Sequence, residues 1–231
     1  LTNDQLINPD ARVKNMGIVD LPRGQSKRKP AFTDREQEQF LQLIEKCGDQ
    51  EWYDTWAWAF DSGMRHEGEL DGFTIDNVDF GSQTITFWRP KTKTWSLETP
   101  LTERQLDILS RRRKIASNRK DRKVFPSTAG SRTSNWKKYI AMCNFNKHFT
   151  PYTTRHTYIT RLAESNQSPK VVMELAGHSC IETTMTYYTK SSSKLLNQAI
   201  LALQNGRVGF ENTNDSTDNS MIGHNSRKAL K

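Results

Sequence analysis

Three separated clusters in this 231-residue chain carry side chains suited to holding phosphate and moving protons. The first is Ser62-Gly63-Met64-Arg65-His66-Glu67-Gly68-Glu69-Leu70, with an arginine just past a glycine. The second, Thr150-Pro151-Tyr152-Thr153-Thr154-Arg155-His156-Thr157, opens a helical stretch. The third is Leu175-Ala176-Gly177-His178, with Tyr187 nine residues beyond the histidine. A guanidinium is a planar fork of donors that stays charged, so two arginines can stabilise the negative charge that grows on the non-bridging oxygens of a phosphodiester under attack. A phenol, with a pKa of about 10, becomes a useful nucleophile only near cations or a base, which the arginines and His178 can supply. The departing oxygen needs a proton, and an ammonium on a hairpin tip, Lys91 or Lys93, is placed to deliver one.

These clusters need a frame. Thr33-Asp34-Arg35-Glu36 is a capping box, after which Phe40, Leu41 and Ile44 recur at helical spacing, so the folded part starts near residue 31. Trp52, Trp56 and Phe60 predict a second helix, over 52–62, stopped by Gly63. Thr84 to Trp88 alternates as a strand and can pair with Trp95 to Thr99 across Pro90-Lys91-Thr92-Lys93. A second capping box, Thr102 to Gln105, opens a helix with Leu106 and Leu109 facing inward. Val124-Phe125-Pro126 reads as a strand, and further helices are expected around Trp136 to Cys143 and from Thr154 to Glu164. Ser168-Pro169 announces a short one that Gly177 ends, and another is expected near Ser192 to Leu203. The predicted fold is mainly α with a small antiparallel β-sheet. Residues 1–30 read as a basic linker, 31–204 as one folded domain ending in a helix whose apolar stripe suits docking, and 205–231 as a disordered polar tail.

Composition narrows the partner. Lys and Arg number 34 against 26 Asp and Glu, a formal charge of +8, which points a water-soluble chain towards nucleic acid. From Arg111 to Lys123, eight of thirteen residues are basic. That run, with the segment at Ser26 to Pro30, makes Lys27, Arg28, Lys29, Lys93, Arg111, Arg112, Arg113, Lys114, Arg119 and Lys120 candidate DNA contacts. No stretch approaches the roughly 18 consecutive apolar residues of a membrane span, and the start of the chain has no signal-peptide pattern. Cys47, Cys143 and Cys180 form neither a disulfide framework nor a metal knuckle, and His148 and His156 lack companion ligands. The first residue is Leu, which implies a fragment of something longer.

Taken in order, the clusters and the lysine-bearing hairpin resemble the catalytic domain of the tyrosine recombinases, the phage-type integrases. The resemblance rests most on the Arg155-His156-Thr157 box and on Gly177-His178 followed by Tyr187. It implies that Arg65 and Arg155 hold the scissile phosphate, that Tyr152 occupies a place usually held by histidine, that His178 is the second histidine and that Tyr187 is the nucleophile, with Tyr188 as fallback. It further implies Lys91 as the acid, supported over Lys93 by a Lys-Thr dipeptide and not by spacing. Tyr152 would then be a neutral donor, His178 the one imidazole of the site, and His156 a buried hydrogen-bonding residue. The family's usual acid lies three residues after the first arginine, where this chain has Gly68, with Glu69 one step on. The implied activity is cleavage and rejoining of double-stranded DNA through a 3′-phosphotyrosine, without cofactor or metal, for integration or excision of a phage or mobile element. The implied assembly is a homotetramer on two DNA sites in a prokaryotic cytoplasm or nucleoid, with a DNA-bending accessory protein and no membrane. A type IB topoisomerase shares this chemistry, and a DNA-binding module with a decayed site would share the charge.

Overall fold

A computed structural model describes residues 30–165, 167–188, 200–201 and 203–204. The basic linker with Lys27, Arg28 and Lys29, the polar tail, and Leu195 and Leu196 of the expected docking helix lie outside the described residues; Ile200, Leu201 and Leu203 are exposed. Among the described residues, no helix is long and apolar enough to cross a membrane.

The described residues are mostly helical, with two small antiparallel sheets. Helix α1 (Asp34–Lys46) starts at the Thr33–Glu36 capping box and buries Phe40, Leu41 and Ile44. Helix α2 (Gln50–Ser62) ends where Gly63 turns left-handed, at φ 61°. Its buried face is broader than the expected stripe, running continuously from Asp54 to Phe60, because α1 and α6 (Tyr152–Glu164) both pack against it. A single turn, α3 (Glu69–Gly72), follows. Helix α4 (Glu103–Ser117) opens at the Thr102–Gln105 capping box; Leu109 is buried as expected, but Ile108 takes the inner place expected of Leu106. Helix α5 (Ala129–Cys143) begins about two turns earlier than Trp136 alone suggests, capped by Thr128. Helix α7 (Pro169–Ala176) has Ser168 as its cap and Gly177 at φ 62° as its end, and α8 (Ile181–Tyr188) carries the two tyrosines.

The expected single hairpin is split in two. Strand β2 (Thr84–Ile85) pairs with β1 (Val78–Asp79) and with β5 (Thr99–Pro100), while β3 (Trp88–Arg89) pairs only with β4 (Thr94–Trp95). Between them the Phe87 N–H donates to the Ser96 hydroxyl at 2.9 Å in place of a carbonyl, which interrupts the ladder. The register still sets Lys91 and Lys93 in the β3–β4 turn. Val124-Phe125-Pro126 is not a strand. Val124 N–H donates to Phe73 O at 3.2 Å, Lys123 makes an isolated bridge to Thr74, and Pro126 has no N–H to continue a ladder.

An aromatic core joins α1, α2 and α5 through Phe32, Phe40, Trp56, Phe60 and Trp136. A second, smaller cluster (Ile159, Val172, Ala176) holds α6, α7 and α8 together and packs against Tyr158, Tyr187 and Tyr188. Both indole N–H groups of this core are paired: Trp56 Nε1 donates to Asn135 Oδ1 at 2.9 Å, and Trp136 Nε1 to Phe149 O at 3.0 Å.

The basic run of α4 divides by function. Arg112 is buried and donates to Asp54 (3.2 Å), Val124 O and Glu51 O (both 3.1 Å), with its guanidinium over Phe125. It is a structural tie between α4 and α2 and corrects the expectation of a DNA contact. Arg111 is paired with the buried Asp54 and with Asp107. Arg113, over the Phe80 ring, together with Lys114, Lys120 and the Asp121-paired Arg119, remains exposed.

Candidate active site

The site forms where the C-termini of α2 and α7, the start of α6, the β3–β4 hairpin and α8 meet. Arg65 follows the left-handed Gly63 and is held in place by its neighbour four residues on. Its backbone N–H donates to Glu69 Oε2 at 2.8 Å, and its guanidinium pairs with Glu69 Oε1. The extra residue that separates this acid from Arg65 is absorbed at Gly68, whose φ of 81° only glycine adopts without strain. Glu69 is thereby carried into the interior at 1% exposure.

Arg155, in the first turns of α6, bolts two helix ends together. It donates to Gly63 O at 2.9 Å and to Ala176 O, and lies 3.9 Å from Glu69 Oε2. Carbonyls at helix C-termini carry partial negative charge, which suits a guanidinium. Burial, then the neighbouring Arg65, push Arg155 down to about 10, which leaves it charged at neutral pH.

A third guanidinium, which sequence reasoning missed, joins them. Arg89 on β3 is 3% exposed, donates from Nη2 to Leu175 O at 2.8 Å and sits over the Phe87 ring. Burial lowers its pKa, and Glu69 is the acid that most opposes the shift. Alternation along the hairpin marks an inward position at residue 89, but nothing local says that the inward side chain meets α7, 86 residues away. Arg65 thus pairs with the buried Glu69, Arg155 lies 3.9 Å from it, and Arg89 stands within its field.

His178 follows the left-handed Gly177, and its Nδ1 lies 2.8 Å from the hydroxyl of the fully buried Thr184. Burial first, then the positive fields of Arg155, Arg65 and Arg89, hold it down to about 4, so the imidazole is neutral at pH 7 while no anion is bound. Tyr187, one turn of α8 beyond Thr184, stacks on His178 with ring centroids 6.2 Å apart. Its Oη lies 3.1 Å from His156 Nδ1. His178 is therefore not the one imidazole near the phenol; His156 reaches the phenol oxygen itself, because α6 turns residue 156 towards α8 while residue 155 faces inward. Tyr188 donates instead to Gln167 O at 2.6 Å.

Three expected residues stand at the rim. Tyr152 heads α6 at 39% exposure, with its ring edge-on to His66 at 4.8 Å. His66 is buried, which lowers its pKa. Lys91 and Lys93 are both exposed in the hairpin turn, Lys93 at φ 52°. The root of that turn is fixed, because Pro90 lies against Gly68 and Arg89 against α7. Among the described residues, no group of three His, Cys, Asp or Glu side chains is arranged to hold a metal ion.

The chain is similar to known proteins in sequence and in fold. The chain is 45% identical over 62 residues to the tyrosine recombinase XerD of Lacticaseibacillus casei, covering 27% of this chain and 21% of that protein. It is 24% identical over 175 residues to the transposase from transposon Tn916 of Enterococcus faecalis, covering 61% and 42%. The matched stretches thus span less than half the length of these curated relatives. The fold is similar to that of the Tn1549 transposon integrase solved in complex with transposon right end DNA (TM-score 0.63, 23% identity, 79% of this chain and 68% of that one). It is equally similar to XerA recombinase (TM-score 0.63, 17% identity, 76% and 66%). Residues 31–194 match the family model described as the phage integrase family. A match over most of the described domain, on a fold that gathers Arg65, Arg155, His178 and Tyr187 from three distant stretches into one site, makes this chain a member of the phage integrase family.

Proposed function

We propose that this chain is the catalytic domain of a site-specific DNA recombinase of a phage or mobile element, which cleaves and rejoins double-stranded DNA through Tyr187. The observation that carries the reading is a cluster of three buried guanidiniums beside a tyrosine, with Arg65 paired to the buried Glu69, Arg155 3.9 Å from it and Arg89 within its field. That excess of buried positive charge is costly unless an anion completes it, and a phosphodiester is the anion that a nearby phenol can attack.

In the cleavage step Tyr187 Oη bonds to phosphorus while the bond to the 5′ oxygen breaks. The phenolic proton has an acceptor within reach in His156 Nδ1 at 3.1 Å. Lys91, on the exposed turn, gives a proton to the departing 5′ oxygen. The products are a 3′-phosphotyrosine and a 5′-hydroxyl, and rejoining runs the same transfers backwards with no external energy, because the phosphotyrosine keeps the energy of the broken bond. Arg65 and Arg155 hold the non-bridging oxygens. Tyr152, exposed at the rim, contributes a neutral hydrogen bond. Arg113, Lys114, Arg119, Lys120 and Lys93 line the outside as phosphate contacts, and the assembled enzyme is a homotetramer across two DNA sites, with a DNA-bending protein as accessory.

A nicked suicide duplex carrying the recognition site tests this. Wild-type protein should accumulate a covalent adduct in excess EDTA, Tyr187→Phe should bind DNA without forming any, and Tyr188→Phe should form it. An adduct that survives in Tyr187→Phe, or a strict need for Mg²⁺, would overturn the mechanism. Relaxation of supercoils without strand exchange would favour a topoisomerase.

A further inference from the structure

We propose that Arg89 is a positioning residue that clamps the Lys91 hairpin to the Gly177–His178 turn, so that the acid and the histidine reach the scissile phosphate as one unit. This rests on the reading of Lys91 as the acid given above. Three observations place the clamp. First, Arg89 belongs to the hairpin strand and stands two residues before Lys91, yet it donates to Leu175 O of α7 at 2.8 Å, three residues before His178. Second, it fills the space that a side chain at residue 177 would need. A Cβ built on Gly177 would lie 1.3 Å from Arg89 Nη1 and 2.4 Å from Cζ. The two segments therefore interlock, with glycine on one side and the guanidinium on the other, and a side chain at residue 177 would displace Arg89.

Third, the clamp is charged in a place where charge is expensive. Arg89 Nε and Nη1 are buried and have no hydrogen-bond partner among the described residues. A purely structural tie at this position is better served by an apolar side chain, since burying unmatched donors destabilises the fold. A guanidinium that adds to the field of Arg65 and Arg155 gains its counter-charge when a phosphate arrives, so the hairpin is pulled tightest on α7 when substrate is bound. Lys91 itself is exposed on a turn whose root is anchored to other elements by Arg89 on α7 and by Pro90 against Gly68. A misplacement of about 1 Å in a catalytic group can cost on the order of 100-fold in rate.

The test compares two suicide duplexes, one with the ordinary bridging 5′ oxygen and one with sulfur there, a leaving group that needs no proton. Arg89→Met should lose about 100-fold in covalent trapping on the oxygen duplex and recover most of that loss on the sulfur duplex. Arg89→Lys, which keeps the charge and one donor for Leu175 O, should fall between. Gly177→Ala should show the same oxygen-selective defect, and its loss should be at least about tenfold smaller in an Arg89→Ala background, because the collision is gone there while the backbone strain at residue 177 is common to both. Equal losses on both duplexes in all three single variants, or losses from Gly177→Ala and Arg89→Ala that simply multiply, would refute the clamp. If Arg89→Met fails to fold in a thermal melt, Arg89→Lys and the Gly177→Ala pair decide the matter. Failure of wild-type protein to form any adduct would instead overturn the proposed function.

Discussion

Replacing Glu69 by glutamine removes one negative charge from the centre of the site and changes little else. The amide keeps the size of the carboxylate and can still accept the Arg65 backbone N–H, now made at 2.8 Å. What it loses is the counter-charge to three buried guanidiniums, Arg65 in direct contact, Arg155 at 3.9 Å and Arg89 through the field. Breaking a buried ion pair by removing one partner typically costs about 3–5 kcal/mol. For a domain of this size each kcal/mol corresponds to roughly 2–4 °C in melting temperature, so Glu69→Gln should melt roughly 6–20 °C below wild type. The same charge logic predicts that anions give part of this back. In a thermal melt with sodium sulfate or a non-cleavable duplex, compared with sodium chloride at equal ionic strength, the variant should gain more than wild type does. A variant that melts within 2 °C of wild type, using about 1 kcal/mol as the threshold, would refute the claim that Glu69 balances the arginines. So would a gain from anions no larger than that of wild type.

Further expectations follow from other contacts. His178 is held at about 4, below its unfolded value of about 6.5. The unfolded chain therefore takes up this proton first as pH falls, and its contribution to stability, intact above pH 6.5, is lost between about 6.5 and 4. His178→Gln should flatten that part of a urea-midpoint profile, and an identical profile would place the titration elsewhere. Tyr152→Phe should slow cleavage by about 1–3 kcal/mol without abolishing it, and Tyr152→His should be active with an added ionisation near pH 6.5 in single-turnover rates; a variant as dead as Tyr187→Phe would mean a chemical role for the phenol. Arg112→Ala should destabilise the fold by about 3–5 kcal/mol and leave the salt dependence of DNA binding unchanged. Neutralising Arg113, Lys114 and Lys120 should flatten that dependence by about 0.9 per lost phosphate contact in the log-log slope, and the opposite pattern would reverse the division of the basic run.

Much of this molecule is legible from local chemistry. Thr33, Thr102 and Ser168 begin helices because a side-chain oxygen meets a backbone N–H two or three residues on, and Gly63 and Gly177 end them because they turn left-handed. Arg65, Arg155, His178 and Tyr187 are marked by residue type and spacing, and the order of their clusters along the chain points to one reaction. Neighbouring residues in sequence, however, say little about which distant group each side chain meets. Arg112 and Arg113 are adjacent and equally basic, yet one is buried against Asp54 and the other exposed, since helical rotation and the packing of α4 on α2 decide between them. The same holds for His156, whose contact with Tyr187 depends on α8 lying against α6. Glu69 reaches Arg65 only because Gly68 accepts a left-handed turn, and Arg89 becomes part of the site only because β3 is laid against the end of α7. Residue types suited to the chemistry are carried by short stretches of chain, whereas charge balance and alignment depend on contacts between stretches that only folding brings together.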